Sequence, residues 1–226
     1  MPKLISFSIL FAFLLNTSFM KEQKIYTLLC LGDSYTIGEM VEEKERFPMQ
    51  TVALLKQQNI LFQQPVIIAK TGWTTDELLT AITDKNLHQK FDYVTLLIGV
   101  NNQYRNRDLE NYRKEFNALL ATATAYANGN KKHVIVISIP NWGVTPFGQK
   151  DTRGEFKIGE EIDAYNAVNK QETAKQNCIY INITSESKKA KKDGELIAND
   201  GLHPSGKMYA NWANKLANAL QKQIIQ

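Results

Sequence analysis

Of the 226 residues only two are cysteine, Cys30 and Cys178, and only three are histidine, His88, His133 and His203. Two cysteines build no disulfide framework, and the chain lacks the repeated Cys and His spacing of a zinc site. Each cysteine sits in an apolar run, where a buried free thiol is the expected reading. A continuous apolar run of about 20 residues, the length a bilayer span needs, is also missing. The shorter stretch Leu4 to Leu15, with Lys3 before it and Asn16, Thr17 and Ser18 after it, reads as the apolar part of a signal peptide over residues 1–20. Export to the periplasm or the medium is expected if the leader is cleaved, with no membrane span left after its removal; an uncleaved leader would leave the chain membrane-tethered or cytoplasmic. No small-x-small pair marks a cleavage site, and no cysteine follows the run to take a lipid. Basic residues interleaved with aromatics are absent too. The formal charge is +4, and much of the excess lies in Lys188, Lys189, Lys191 and Lys192, which reads as a solvated face rather than a nucleic-acid surface.

What remains is a globular composition, 43% hydrophobic and 22% charged, in a single domain over residues 21–226. Short apolar runs alternate with longer amphipathic stretches, the pattern of βαβ units. Strands are predicted over Ile25–Leu31, Val66–Ala69, Tyr93–Gly99, Val134–Ile139 and Ile179–Ile183. Their apolarity is continuous rather than alternating, as in parallel strands covered on both faces. Pro48 opens a helix to Gln58, and Thr74 with Glu77 makes a capping box. The stretch Leu109–Asn128 puts Tyr112, Phe116, Leu119 and Leu120 on one face and stops at Gly129. Ile162, Tyr165 and Val168 repeat the pattern, and after Pro204 so do Tyr209, Trp212, Leu216 and Leu220.

In an open parallel sheet ligands bind beyond the carboxyl ends of the strands, so the residues just after each strand carry the information. They are Gly32-Asp33-Ser34-Tyr35, Lys70-Thr71-Gly72-Trp73, Gly99-Val100-Asn101-Asn102 and, after the last strand, Asp200-Gly201-Leu202-His203-Pro204. A hydroxyl nucleophile needs a base and a carboxylate to orient that base. Ser34, His203 and Asp200 supply the three, the last two only three positions apart. Acyl transfer also needs donors for the developing oxyanion, and the backbone N–H groups of Ser34 and Gly72 and the side-chain amide of Asn101 are candidates. Singly, each segment has a plain structural reading: a helix cap at Asp33-Ser34, a turn at Gly72, turn residues at Asn101-Asn102. Together and in order, at successive strand ends, they point to chemistry.

These segments resemble the blocks of the SGNH, or GDSL-type, hydrolases: GDSY the first, Gly72 the second, GVNN the third and DGLHP the fifth. The resemblance implies a three-layer α/β/α sandwich around a five-stranded parallel sheet, a flavodoxin-like arrangement. It implies Ser34 as nucleophile, Asp200 and His203 as its dyad, and Ser34, Gly72 and Asn101 as oxyanion hole. The substrate would be a small-molecule, lipid or sugar ester, with no metal or organic cofactor. A carbohydrate acetylesterase is a narrower version of the same reading, and a non-catalytic ligand-binding domain on the same fold is its rival. The family's strand order would also leave Cys30 and Cys178 three strand spacings apart, too far for a disulfide. Asn102 stands where the third block commonly has Asp, and Tyr35 where many members have Leu. The lipase elbow G-x-S-x-G is absent, Thr36 holding its last place. Trp73, Tyr104, Arg105, Trp142 and Phe147 lie in loops near the same edge and are candidates to line a pocket, with Arg105 a candidate for an anionic substrate group.

Overall fold

The structure, a computed structural model, describes residues 23–225. The leader read over residues 1–20 lies outside the described residues. In chain order the strands are β1 (Ile25–Tyr26), β2 (Leu28–Gly32), β3 (Leu61–Phe62), β4 (Val66–Ala69), β5 (Tyr93–Leu97), β6 (Val134–Ile137) and β7 (Ile179–Ile181). The helices are α1 (Ser34–Ile37), α2 (Phe47–Gln57), α3 (Thr75–Lys85), α4 (Val100–Tyr104), α5 (Leu109–Tyr126), α6 (Gly154–Lys175), α7 (Thr184–Ser187) and α8 (Gly206–Ile225).

Five strands pair in parallel in the order β4-β2-β5-β6-β7. Every residue of β2, β5 and β6 is buried, which is why their sequences are apolar without alternation. The chain steps from β2 out to β4 and then back across β2 to β5. Right-handed crossovers therefore send the helices to opposite faces. α2 packs with α8, while α3, α5 and α6 pack side by side in the other layer. This is the α/β/α sandwich with a five-stranded parallel sheet that the sequence implied.

The register sets the level of the site. Gly32 pairs with Ala69 on one side and Leu97 on the other, so β2, β4 and β5 end together. Ser34, Gly72 and Asn101 follow these ends by two, three and four residues, at the point where the strand order reverses. A crevice forms there because the neighbouring loops leave in opposite directions.

The run Ile25–Leu31 is not one strand. Ile25 and Tyr26 pair with Leu61 and Phe62 in a separate two-stranded sheet. Thr27 breaks the continuity because its N–H and hydroxyl both donate to Asp92 Oδ2, at 2.9 and 3.0 Å. β4 has the bounds of its apolar run, while β5, β6 and β7 stop two residues before theirs end. The Thr74–Glu77 capping box is present, Glu77 Oε2 accepting the Thr74 N–H at 2.9 Å. Cys30 and Cys178 are free thiols. Among the described residues no helix is long and apolar enough to cross a membrane. Of the lysine run, Lys188, Lys189 and Lys191 pair with Asp163, Glu186 and Glu155.

Candidate active site

Ser34 opens α1 at the first turn beyond β2. The turn is tight: a Cβ on Gly32 would lie 2.1 Å from Thr36 Oγ1 and 2.4 Å from the Leu97 carbonyl oxygen, so no larger residue fits. Asp33 caps the helix, its Oδ1 accepting the Tyr35 N–H at 3.0 Å. The capping reading of Asp33 is thus correct, and it leaves the Ser34 side chain free to face the cleft.

Asp200 and His203 arrive together, as their spacing implied. Asp200 Oδ1 accepts the backbone N–H groups of Leu202 (2.9 Å) and His203 (3.0 Å), folding the segment into an Asx turn. Its Oδ2 lies 2.5 Å from His203 Nδ1. Burial works to raise the Asp200 pKa, but the hydrogen bonds from the His203 ring and from the two backbone N–H groups outweigh it, and the net shift is downward. An ionised carboxylate only accepts, so Nδ1 carries the proton and Nε2 is left as an acceptor. Nε2 lies 3.0 Å from Ser34 Oγ. Tyr35, the departure in the first block, is buried with its ring centroid 5.7 Å from that of His203 and 6.2 Å from that of Trp212. It forms a wall behind the imidazole.

Gly72 sits in a turn at φ +85°, a left-handed value that suits the third residue of a type II turn and that a side chain resists. Asn101 is not in a turn but on the short helix α4, and its Nδ2 donates one hydrogen to the Trp73 carbonyl at 2.9 Å. Its second N–H and the backbone N–H groups of Ser34 and Gly72 donate to no partner among the described residues. Asn102, which replaces the usual acid, turns away into the protein. Its Oδ1 accepts the Thr75 N–H at 3.1 Å and its Nδ2 donates to Thr75 Oγ1 at 2.7 Å, so it satisfies the first residue of α3 beside the Thr74–Glu77 capping box.

Ser34, Gly72, Asn101 and His203 line one cleft of about 210 Å³, with Val100, Tyr104, Trp142, Phe147 and Leu202 as its apolar walls. The aromatic wall is fixed. Trp142 Nε1 donates to Gln103 Oε1 at 2.8 Å, and the Arg153 guanidinium lies 5.1 Å from the Trp142 ring and 5.5 Å from that of Tyr104. Phe147 N–H donates to the Gly201 carbonyl at 2.9 Å, tying this wall to the Asp200 turn. Tyr104, Trp142 and Phe147 therefore line the pocket, whereas Trp73 and Arg105 do not. Trp73 contributes its carbonyl. Arg105 donates to the Gly72 carbonyl at 2.7 Å and pairs with Glu77 at 3.2 Å, so its charge is already engaged. The sequence did not show Gln103 or Arg153 as supports, because neither follows a strand end. Among the described residues no group of three or more His, Cys, Asp or Glu side chains is placed to hold a metal ion.

The fold is shared with esterases and lipases. The lipase/acylhydrolase from Enterococcus faecalis matches with a TM-score of 0.69 at 19% identity, over 88% of this chain and 97% of its own. The psychrotrophic esterase EstA from Pseudoalteromonas sp. gives 0.68 at 15% identity, over 89% and 100%. Axe2, an acetylxylan esterase from Geobacillus stearothermophilus, gives 0.65 at 19% identity, over 86% and 93%. At such identities the likeness is one of fold. No curated protein sequence matches the chain. The model of the GDSL-like lipase/acylhydrolase family matches residues 30–211. The chain belongs to that family and is a hydrolase acting on ester bonds.

Proposed function

We propose that the protein is a serine esterase that works through an acyl-enzyme on Ser34, with His203 as general base and acid and Asp200 as its orienter. The observation that carries this reading is the continuous chain Asp200 Oδ2, His203 Nδ1 and Nε2, Ser34 Oγ, with steps of 2.5 and 3.0 Å, opening into an apolar cleft. Ser34 Oγ attacks the ester carbonyl while His203 Nε2 takes its proton. The carbonyl oxygen becomes an oxyanion that the free N–H groups of Ser34, Gly72 and Asn101 stabilise. Each such donor is worth about 10²- to 10³-fold in rate. The intermediate collapses, the bond to the alcohol oxygen breaks, and His203 returns the proton to the leaving alkoxide. Water then attacks the acyl-enzyme by the same route and releases the acid. Asp200 keeps its charge throughout and stabilises the imidazolium.

The apolar walls suit a short or medium acyl group, with the alcohol portion toward the open side. The test is hydrolysis of p-nitrophenyl acetate, butyrate and octanoate by the parent and by Ser34→Ala, with acetylated xylo-oligosaccharides in the same panel because one structural relative is an acetylxylan esterase. The reading requires turnover by the parent and a loss of at least about 10³-fold in the variant. Equal activity in the two proteins would remove Ser34 as nucleophile.

A further inference from the structure

We propose that Arg105 is a positioning residue for the oxyanion hole, bracing the Gly72 turn from α4; this rests on the esterase reading above. Asn101 and Arg105 are four residues apart, the spacing that puts two side chains on one face of a helical turn. Arg105 N–H donates to the Asn101 carbonyl at 3.0 Å, closing that turn. From this face the two side chains reach consecutive carbonyls of the facing loop. Asn101 Nδ2 donates to Trp73 O at 2.9 Å and Arg105 Nη2 to Gly72 O at 2.7 Å.

The Gly72 turn needs such a brace. Its own closing bond, Trp73 N–H to Lys70 O, is 3.3 Å, beyond the usual range for a backbone hydrogen bond. Apart from Arg105, the turn is held from outside, among the described residues, only through its neighbours, by Asn101 Nδ2 on the Trp73 carbonyl and by the Thr71 hydroxyl, which donates to Glu39; Arg105 alone holds Gly72 itself. Glycine also has the most backbone freedom to lose. The contact from Arg105 is charge-assisted and the shorter of the two, and shortness of this kind marks the stronger bonds. The other arm of the guanidinium, Nη1, meets both carboxylate oxygens of Glu77 at 3.2 and 3.4 Å. Glu77 in turn accepts the Thr74 N–H at 2.9 Å. One planar group thus joins the end of α4, the Gly72 turn and the start of α3, so two donors from different loops keep a fixed separation. Arg105 is exposed, its side chain 40% accessible, but it does not line the cleft, which is why it acts on the hole and not on the substrate.

The variants are Arg105→Ala, Arg105→Lys and Glu77→Gln, with Ser34→Ala as reference, assayed on p-nitrophenyl butyrate and on the anionic mono-p-nitrophenyl succinate. Inhibition by butylboronic acid is read beside them, since its tetrahedral adduct with a serine oxygen needs the same donors. Arg105→Ala should lower kcat about tenfold, less than removal of a donor, because the Gly72 N–H remains but is misaimed. KM should stay within about twofold for both esters, and the boronic acid Ki should rise in step with the fall in kcat. Arg105→Lys keeps one donor for the Gly72 carbonyl and should recover part of the loss. Glu77→Gln preserves the capping box and should cost about threefold or less. A rise in KM confined to the succinate, with kcat unchanged, would overturn the proposal by showing that Arg105 meets substrate. Loss of kcat with an unchanged boronic acid Ki would overturn it as well, as would full activity of Arg105→Ala. Should Ser34→Ala match the parent, the esterase reading fails first, whatever Arg105 does.

Discussion

Replacing Asp33 by Asn should stabilise the protein at neutral and alkaline pH and leave it unchanged in acid. Asp33 has no exposed surface, and although Oδ1 accepts the Tyr35 N–H, Oδ2 has no partner among the described residues. Burial pushes its carboxyl from the ordinary 3.8 up to about 7, against the lowering effect of the Tyr35 hydrogen bond. A carboxyl raised in the folded state contributes stability that is fully present below its unfolded value and is lost as pH rises through the folded one, because the unfolded chain gives up its proton first. Each pH unit between the two values costs about 1.4 kcal/mol. The loss from about pH 4 to pH 7 is therefore about 4 kcal/mol, a large part of the 5 to 15 kcal/mol typical of a domain. Asn keeps the carbonyl acceptor for the Tyr35 N–H and has no charge to bury. Urea unfolding of the parent and of Asp33→Asn, run side by side from about pH 4 to pH 9, isolates this group because all other titrations cancel in the difference. The difference should be near zero at the acid end and approach about 4 kcal/mol above pH 7. A difference that does not change with pH would refute the reasoning, since Asp33 would then have the same proton affinity folded and unfolded.

Substitutions at three further positions test other parts of the site. Asn102→Ala leaves the Thr74–Glu77 box in place but removes the acceptor of the buried Thr75 N–H, at a cost of about 1 to 3 kcal/mol in urea. Asn102→Asp keeps an acceptor for that N–H and should cost less; the reverse order would contradict this role of Asn102. Gly32→Ala places a Cβ against a backbone carbonyl that cannot yield, so a loss of about 3 kcal/mol or more in thermal or urea unfolding is expected. Gly72→Ala meets no close atom, its nearest neighbour being Arg105 Nη2 at 3.6 Å. It should therefore cost only about 1 to 2 kcal/mol from the left-handed backbone, while kcat falls by a larger factor than that loss of stability explains.

Much of this site was readable from the chain because the residues that matter are local to strand ends. An apolar run names the strand, the next few residues name the loop, and a parallel sheet brings such loops to one edge. The Asp200 and His203 pair was readable for a stronger reason, since a spacing of three suffices for an Asx turn to deliver both groups. What was hidden depends on contacts across the fold. The helix α4 has only five residues, follows Gly99 and contains two asparagines, so local propensity favours a turn; packing makes it a helix, and only then do Asn101 and Arg105 share a face. The break at Thr27 depends on Asp92, 65 positions away. Nor could spacing show that the Arg105 charge is taken by Glu77 and Gly72, or that Arg153 backs Trp142. Tyr104, Trp142 and Phe147 come together only because the segment after β6 folds over the cleft.

The most direct test of the central claim is covalent labelling. The protein is treated with a p-nitrophenyl alkylphosphonate, and the adduct is located by intact mass and peptide mapping. Attack by the nucleophile forms an oxygen–phosphorus bond and expels p-nitrophenolate. The account predicts one phosphonyl group per chain, on Ser34, with loss of esterase activity in step with labelling and no labelling of His203→Ala on the same timescale. Full inactivation with the label on any other residue, or activity that survives complete labelling of Ser34, would contradict it.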